Sequence, residues 1–175
     1  MSPHDRSQAD PDATGSAARA ASVVVPTRGG RGRLDVLLGC LEAQDTDDFE
    51  VVVVVDGDID GSAPFLAARP SPLTVACLTF PENRGRSAAL NTGLAAARGR
   101  VLIRCDDDLE PAPDYVSGHV RAHEGRQVGA VGLYRNVFPD TPYAVTYGRT
   151  ADERFRDEAY AGRPDRVWRY WAGNV

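Results

Sequence analysis

Five consecutive valines, Val51 to Val55, lie between Phe49-Glu50 and Asp56-Gly57. A strand with one wet face alternates apolar and polar side chains; this run does not alternate, so it needs cover on both faces. A short β-branched run of that kind suits the centre of a parallel sheet sandwiched between helices. The fold class is therefore α/β, with further strands and crossover helices required on either side of the run.

Those elements can be read off in order. Ser22-Val23-Val24-Val25-Pro26-Thr27 reads as a first buried strand, and Arg28-Gly29-Gly30-Arg31-Gly32 as the loop after it. Leu34, Leu37, Leu38 and Leu41 then recur at i, i+3, i+4 and i+7, one apolar face of a helix ending near Gln44. Strand, glycine loop and helix open a nucleotide-binding unit. Leu73 to Phe80 gives a third strand, Ser87 to Ala97 a helix rich in small residues that packs closely, and Arg100 to Cys105 a fourth strand. Pro113-Asp114 starts another helix, Gln127 to Val137 resembles a further strand, and a short helix is expected around Asp152 to Tyr160. The end, Val167 to Val175, is aromatic.

The fourth strand runs straight into Asp106-Asp107-Asp108, and Pro111 and Pro113 then turn the chain away. Unit charges about 4 Å apart repel by roughly 4 kcal/mol at an intermediate dielectric, so three acids at a strand end need a cation, helix amides or open water. A divalent metal is the most economical answer, whereas a solvated acidic turn is the commoner fate of an isolated acidic run. Ligands in open α/β sheets bind beyond the carboxyl ends of the strands, so Asp56 stands where a nucleoside would be read.

Composition removes several classes. The net charge of −5 opposes general nucleic-acid binding. All twenty basic residues are arginine, which excludes a P-loop lysine and a Schiff-base lysine. Cys40, Cys77 and Cys105 are widely spaced within apolar runs and are expected to be buried thiols in a reducing compartment. The first twenty residues read as a disordered tail with no secretory signal, and no apolar run approaches membrane-spanning length. Together these lead to the expectation of a cytoplasmic chain. The glycine loop lacks the third glycine of a dinucleotide fingerprint, His119 and His123 lack the glutamate and third ligand of a zinc protease, and there is no Gly-x-Ser-x-Gly elbow. Neighbouring aspartates on one turn also cannot flank a glycosidic bond as a glycosidase requires.

The motif set that survives is ordered: Val23-Val24-Val25-Pro26-Thr27-Arg28, Gln44 with Phe49-Glu50, Asp56-Gly57, Asn83-Arg84-Gly85-Arg86-Ser87-Ala88-Ala89-Leu90-Asn91-Thr92-Gly93, Ala97-Arg98-Gly99, Asp106-Asp107-Asp108 and Pro113-Asp114-Tyr115. In this order and spacing, from residue 22 to about 120, it resembles the nucleotide-binding half of a family 2 glycosyltransferase of the GT-A fold. The resemblance implies a Rossmann-like, mostly parallel sheet flanked by helices, with residues 1–20 as a tail and 21–175 as the nucleotide-sugar-binding part. It implies donor contacts from Pro26, Thr27 and Arg28 at the nucleoside, Asp56 at the base, and Arg84 or Arg86 at the base or diphosphate. Asp108 would bind Mg²⁺ or Mn²⁺, and Asp106 and Asp107 would hold the nucleotide sugar or the metal's water shell, with Asp106 a second candidate ligand. A UDP-sugar donor is favoured, with an unspecified hydroxyl acceptor.

Some positions depart from the family pattern. Val55 stands where an aspartate commonly precedes Asp56, Arg28 where an aromatic often stacks on the base, and Arg104 in a strand that is usually apolar, without an evident partner. Asp58 and Asp60 are expected to form the turn rather than bind ligand, and Arg98-Gly99 to stop a helix. The Gly-Gly-Phe-Asp-Glu segment and the Glu-Asp pair that supplies the family's general base are absent. Asp152, Glu153, Asp157 and Glu158 lack the matching context, so no catalytic base is named and the domain is expected to be incomplete at its C-terminus. The expected activity is metal-assisted, inverting transfer of a sugar from a nucleotide donor. Its rivals are a nucleotide-sugar-binding module or inactive remnant, and, ranked below both, a nucleotidyltransferase whose usual glycine-rich loop with lysine is missing.

Overall fold

The computed structural model describes residues 18–137 and 141–161. The chain divides into two compact units after Arg121. The first is built on a four-stranded parallel sheet of order β3-β2-β1-β4, with β1 at Ala21–Thr27, β2 at Phe49–Asp56, β3 at Thr74–Phe80 and β4 at Val101–Arg104. Its helices are α1 (Arg31–Glu42), α2 (Ser62–Ala68), α3 (Arg86–Ala96) and α4 (Tyr115–Ala122). The valine run lies in β2, flanked by β3 and β1, and every residue from Val51 to Asp56 is buried.

The sheet has a core on each face. Val23, Val25, Val51, Val53 and Val55 pack with the leucines of α1, with Leu66 of α2 and with Val116 of α4, while Val24, Val52, Val54 and Phe80 pack with Ala89. Alternation along β2 thus becomes apolar on both sides, because a helical layer covers each side. On the second face α3 comes very close: a Cβ on Gly93 would overlap Val24 Cγ1 and lie 3.1 Å from Val54 Cγ2. Gly99 serves the same purpose after α3, since a Cβ there would run into the backbone of Ala21 and Ser22. The expected helix stop at Arg98-Gly99 is therefore also a point where the chain touches β1. Its amides are held by the buried Ser22 hydroxyl and by Glu50, with Gly99 N–H donating to Ser22 Oγ at 2.7 Å and Arg98 N–H to Glu50 Oε1 at 2.7 Å.

Several expectations need correcting. Residues 127–137 form no strand; that segment carries Gly129 and Gly132, and the Asn136 N–H donates to the Asp152 side chain at 2.9 Å instead of to a neighbouring strand. Of the three thiols only Cys105 is buried; Cys40 is half-buried, and Cys77, on the edge strand β3, is exposed. The helix α2 was not anticipated. Asp58 Oδ1 accepts the Gly61 and Ser62 N–H groups, both at 2.9 Å, and so organises its first turn. At the expected tail boundary, Ala20 N–H donates to the Asp48 carbonyl and the Arg19 carbonyl accepts from Arg100 N–H, both at 3.0 Å. The rest of the expected tail, and the aromatic end at Val167 to Val175, lie outside the described residues.

The second unit contains a π turn at Ala144–Gly148 continuing into α5, Arg149–Tyr160, which matches the helix expected around Asp152. Tyr134 stacks on Phe155 with ring centroids 4.8 Å apart. Among the described residues no helix is long and apolar enough to cross a membrane.

Candidate active site

All four strands run parallel, so the ends of β1, β2 and β4 and the starts of α1 and α3 meet on one rim of the sheet. β1 delivers Pro26 and Thr27, both buried, and leaves Arg28 exposed. β2 delivers Asp56, only 4% exposed, and β4 leads through Cys105 to the three aspartates.

Asp56 is buried and satisfied. Its Oδ1 accepts Arg84 N–H at 2.6 Å and its Oδ2 accepts Gly85 N–H at 2.9 Å, so the carboxylate fastens the turn from which α3 starts. Gly57 makes this possible: at φ +73° it adopts a left-handed conformation, and a Cβ would press on the Asn83 backbone nitrogen. A carboxylate offers about four acceptor positions, so these two bonds leave Asp56 capacity for another donor. Arg84 itself is exposed, with its guanidinium carbon 4.7 Å from the ring centroid of the buried Phe80, a cation–π arrangement.

The three aspartates have different surroundings, which the simple repulsion argument did not foresee. Asp106 pairs with Arg86 from the start of α3 and with Arg104 Nη2 at 3.1 Å. Arg104, whose partner was not evident from sequence, thus lies under the site, and its Nε is the one buried side-chain nitrogen or oxygen without a hydrogen-bond partner among the described residues. Asp107 accepts the Thr27 hydroxyl at 2.5 Å and both Arg33 Nε at 3.2 Å and Arg33 Nη2 at 3.1 Å. Hydrogen bonding to Asp107, with the charge of the same carboxylate, holds the Arg33 guanidinium above its ordinary pKa. Asp108 is exposed and accepts no hydrogen bond among the described residues. Arginines, as well as any metal, therefore answer the charge of the triplet.

Arg33 is the functional candidate that sequence reasoning missed. It lies on the polar side of the α1 leucine pattern, and only the fold brings that side to the triplet. Gly30 permits the approach, since a Cβ there would overlap Asp107 Oδ2 and Thr27 Oγ1. Gln44 acts as a second unforeseen clamp: its Nε2 donates to the Ala112 carbonyl at 2.8 Å and its Oε1 accepts Val116 N–H at 2.9 Å, fixing the path of the chain after the acids. Below them, burial pushes the Cys105 thiol up to about 12 and raises the Tyr115 phenol as well, so neither is a nucleophile or base near neutral pH. Asp58 and Asp60 form the turn as expected, Asp60 accepting Arg31 N–H at 2.8 Å.

No cluster of three or more His, Cys, Asp or Glu side chains suited to a metal occurs among the described residues. The donor set still fits a hard divalent cation that takes one carboxylate from the protein and its other ligands from diphosphate oxygens and water, because Mg²⁺-type sites are commonly built that way. Asp108 is the carboxylate free to serve; Asp106, the other expected ligand, is held in two ion pairs.

The sequence pattern described as Glycosyl transferase family 2 matches residues 22–172. Among curated proteins, the chain is 35% identical over 108 residues to the uncharacterized glycosyltransferase YfnE of Bacillus subtilis, covering 61% of this chain and 28% of that protein. It is 34% identical over 128 residues to an undecaprenyl-phosphate 4-deoxy-4-formamido-L-arabinose transferase of Pseudomonas fluorescens, covering 70% and 37%. Among solved structures it resembles residues 1–349 of S. aureus TarS, with TM-score 0.56 and 25% identity over 60% of this chain and 32% of that one. It also resembles the mannosyltransferase PcManGT of Pyrobaculum calidifontis in complex with GDP-Man and Mn²⁺, with TM-score 0.51 and 32% identity over 57% and 30%. The chain thus spans about a third of the length of these relatives.

Proposed function

Since the chain belongs to glycosyl transferase family 2, with a parallel sheet of the GT-A type, we propose that its first unit holds the nucleotide-diphosphate sugar for an inverting, metal-assisted transfer to a hydroxyl acceptor. The observation that carries this reading is the rim itself, where Thr27, Asp56, Arg86 and the three aspartates converge from strand ends distant in sequence. Two solved neighbours support the donor class: PcManGT is complexed with GDP-Man and Mn²⁺, and TarS with UDP.

In this reading Pro26 and Thr27 form the floor below the nucleoside, and the exposed Arg28 guanidinium stacks on the base in place of an aromatic ring. Asp56 accepts a hydrogen bond from the base, uracil being favoured, while holding the turn that aims Arg84 and Arg86 at the base or diphosphate. Asp106 and Asp107 orient the sugar or the metal's water shell, and Asp108 is the protein's ligand to Mg²⁺ or Mn²⁺, with Asp106 joining it if it leaves its arginines. When bound, the cation supplies positive charge to the departing nucleoside diphosphate.

Calorimetric titration with UDP, in the presence and absence of Mn²⁺, tests the assignment. Binding is expected to require Mn²⁺ and to weaken by at least about tenfold in Asp108→Ala, the loss of one charged ligand. Metal-independent binding, or an unchanged affinity in the variant, would sink it.

A further inference from the structure

We propose that Arg33 is a positioning residue of this donor site: it pins Asp107 away from the cation assigned to Asp108, so that a divalent ion binds well only together with a diphosphate. The inference rests on the donor-site reading above and adds a means of coupling to it.

Asp107 is the middle acid of the triplet and the one most firmly tied to a neighbouring element. Its side chain is 14% exposed, and Thr27 and the two nitrogens of the Arg33 fork claim both of its oxygens. Its seat is the notch left by the missing side chain of Gly30, so the end of β1 and the first turn of α1 converge on one carboxylate. Arg33, by contrast, is half-exposed and reaches in from solvent, so it can be replaced without opening the core.

The triplet and the arginines paired with it are balanced among themselves: Asp106, Asp107 and Asp108 stand with Arg33, Arg86 and Arg104, three formal negative charges against three positive. A lone divalent ion arriving there meets one free carboxylate and little net attraction, whereas a diphosphate brings both negative charge and oxygen ligands. Removing Arg33 leaves the rim with an unbalanced negative charge and frees a carboxylate next to Asp108. The metal then no longer depends as strongly on the nucleotide.

Titration of the purified chain with Mn²⁺ alone, with UDP alone and with Mn²⁺ at saturating UDP reads this directly. Arg33→Met is expected to tighten binding of Mn²⁺ alone by roughly fivefold or more and to shrink by a similar factor the enhancement that UDP confers. Arg31→Met is the charge control, because the Arg31 guanidinium carbon lies 5.5 Å from the Phe65 ring centroid and contacts none of the three acids; its effect is expected to be smaller. In an Asp107→Asn background the effect of Arg33→Met is expected to shrink to the size of the charge control Arg31→Met. An effect no larger than that of Arg31→Met, or one that stays at full size in Asp107→Asn, would overturn the proposal. If the unaltered chain binds UDP and Mn²⁺ cooperatively and Arg33→Met preserves that cooperativity, this inference alone falls. If the unaltered chain shows no binding of UDP with Mn²⁺, the donor-site reading falls and takes this one with it.

Discussion

At the residue scale, charged groups here hold loops in place as well as facing solvent. Asp56 shows this at the rim, where one buried carboxylate secures two amides of the turn before α3. Arg69 shows it away from the rim: its guanidinium joins Glu42 and Asp35 of α1 to the end of α2, with Nη1 at 2.5 Å from Glu42 Oε1 and Nε at 2.9 Å from Asp35 Oδ1. The Arg69 hydrogen bonds hold the Glu42 carboxyl below its ordinary pKa. A folded-state pKa below the unfolded one stabilises the fold above the unfolded value, about 4.3 for glutamate, and that contribution is lost as pH falls through the folded value. Between pH 7 and pH 3 the thermal midpoint of the unaltered chain is therefore expected to fall further than that of Glu42→Gln. The difference at neutral pH corresponds to roughly 1 kcal/mol or less for a partly exposed pair. Parallel melting curves with no pH-dependent gap would contradict this.

At the scale of elements, close approach of α3 to the sheet sets the geometry of the rim, because Arg86 at its start is placed by the same helix. Gly93→Ala is expected to destabilise the chain by about 1 kcal/mol or more, since overpacking against the stiff Val24 side chain outweighs the alanine's helix propensity. Gly39→Ala on α1, where a Cβ meets nothing within 4 Å, is expected to stabilise by up to about 1 kcal/mol. Denaturant midpoints that move in the same direction for both would refute the packing account. The elements themselves were largely legible in sequence, because hydrophobic period and strand-end punctuation are local signals: the valine run, the leucine face of α1 and the small-residue face of α3 all correspond to observed elements. Among the features that were not legible, α2 included, two have plain physical reasons. Burial of Cys77 depends on whether a helix covers that part of the sheet face, and the reach of a helical layer is invisible in a local pattern. Residues 127–137 carry strand-like residues, but a strand exists only where a partner supplies the ladder.

At the scale of the molecule, a parallel sheet gathers every strand's carboxyl end on one rim, and so turns separate sequence motifs into one place. That explains why the acids at positions 56 and 106–108 could be identified from sequence as strand-end acids. It also explains why Arg33 could not: it lies 74 residues from Asp107, a distance that only the fold closes, whereas Arg86 was legible as a residue of the site but not as the partner of Asp106. The opposite rim, around Ser22, Glu50 and Gly99, is tied together by its own hydrogen bonds and gives an internal control for location. The most direct measurement is an NMR spectrum of the ¹⁵N-labelled chain with UDP, comparing Mg²⁺ with paramagnetic Mn²⁺. The account predicts that amide signals of Thr27, Gly57, Arg84 to Arg86 and Asp106 to Asp108 broaden selectively with Mn²⁺ while those of Ser22, Glu50 and Gly99 stay sharp. Broadening centred on the Ser22–Glu50–Gly99 rim, or no selective broadening at Asp106 to Asp108, would contradict it.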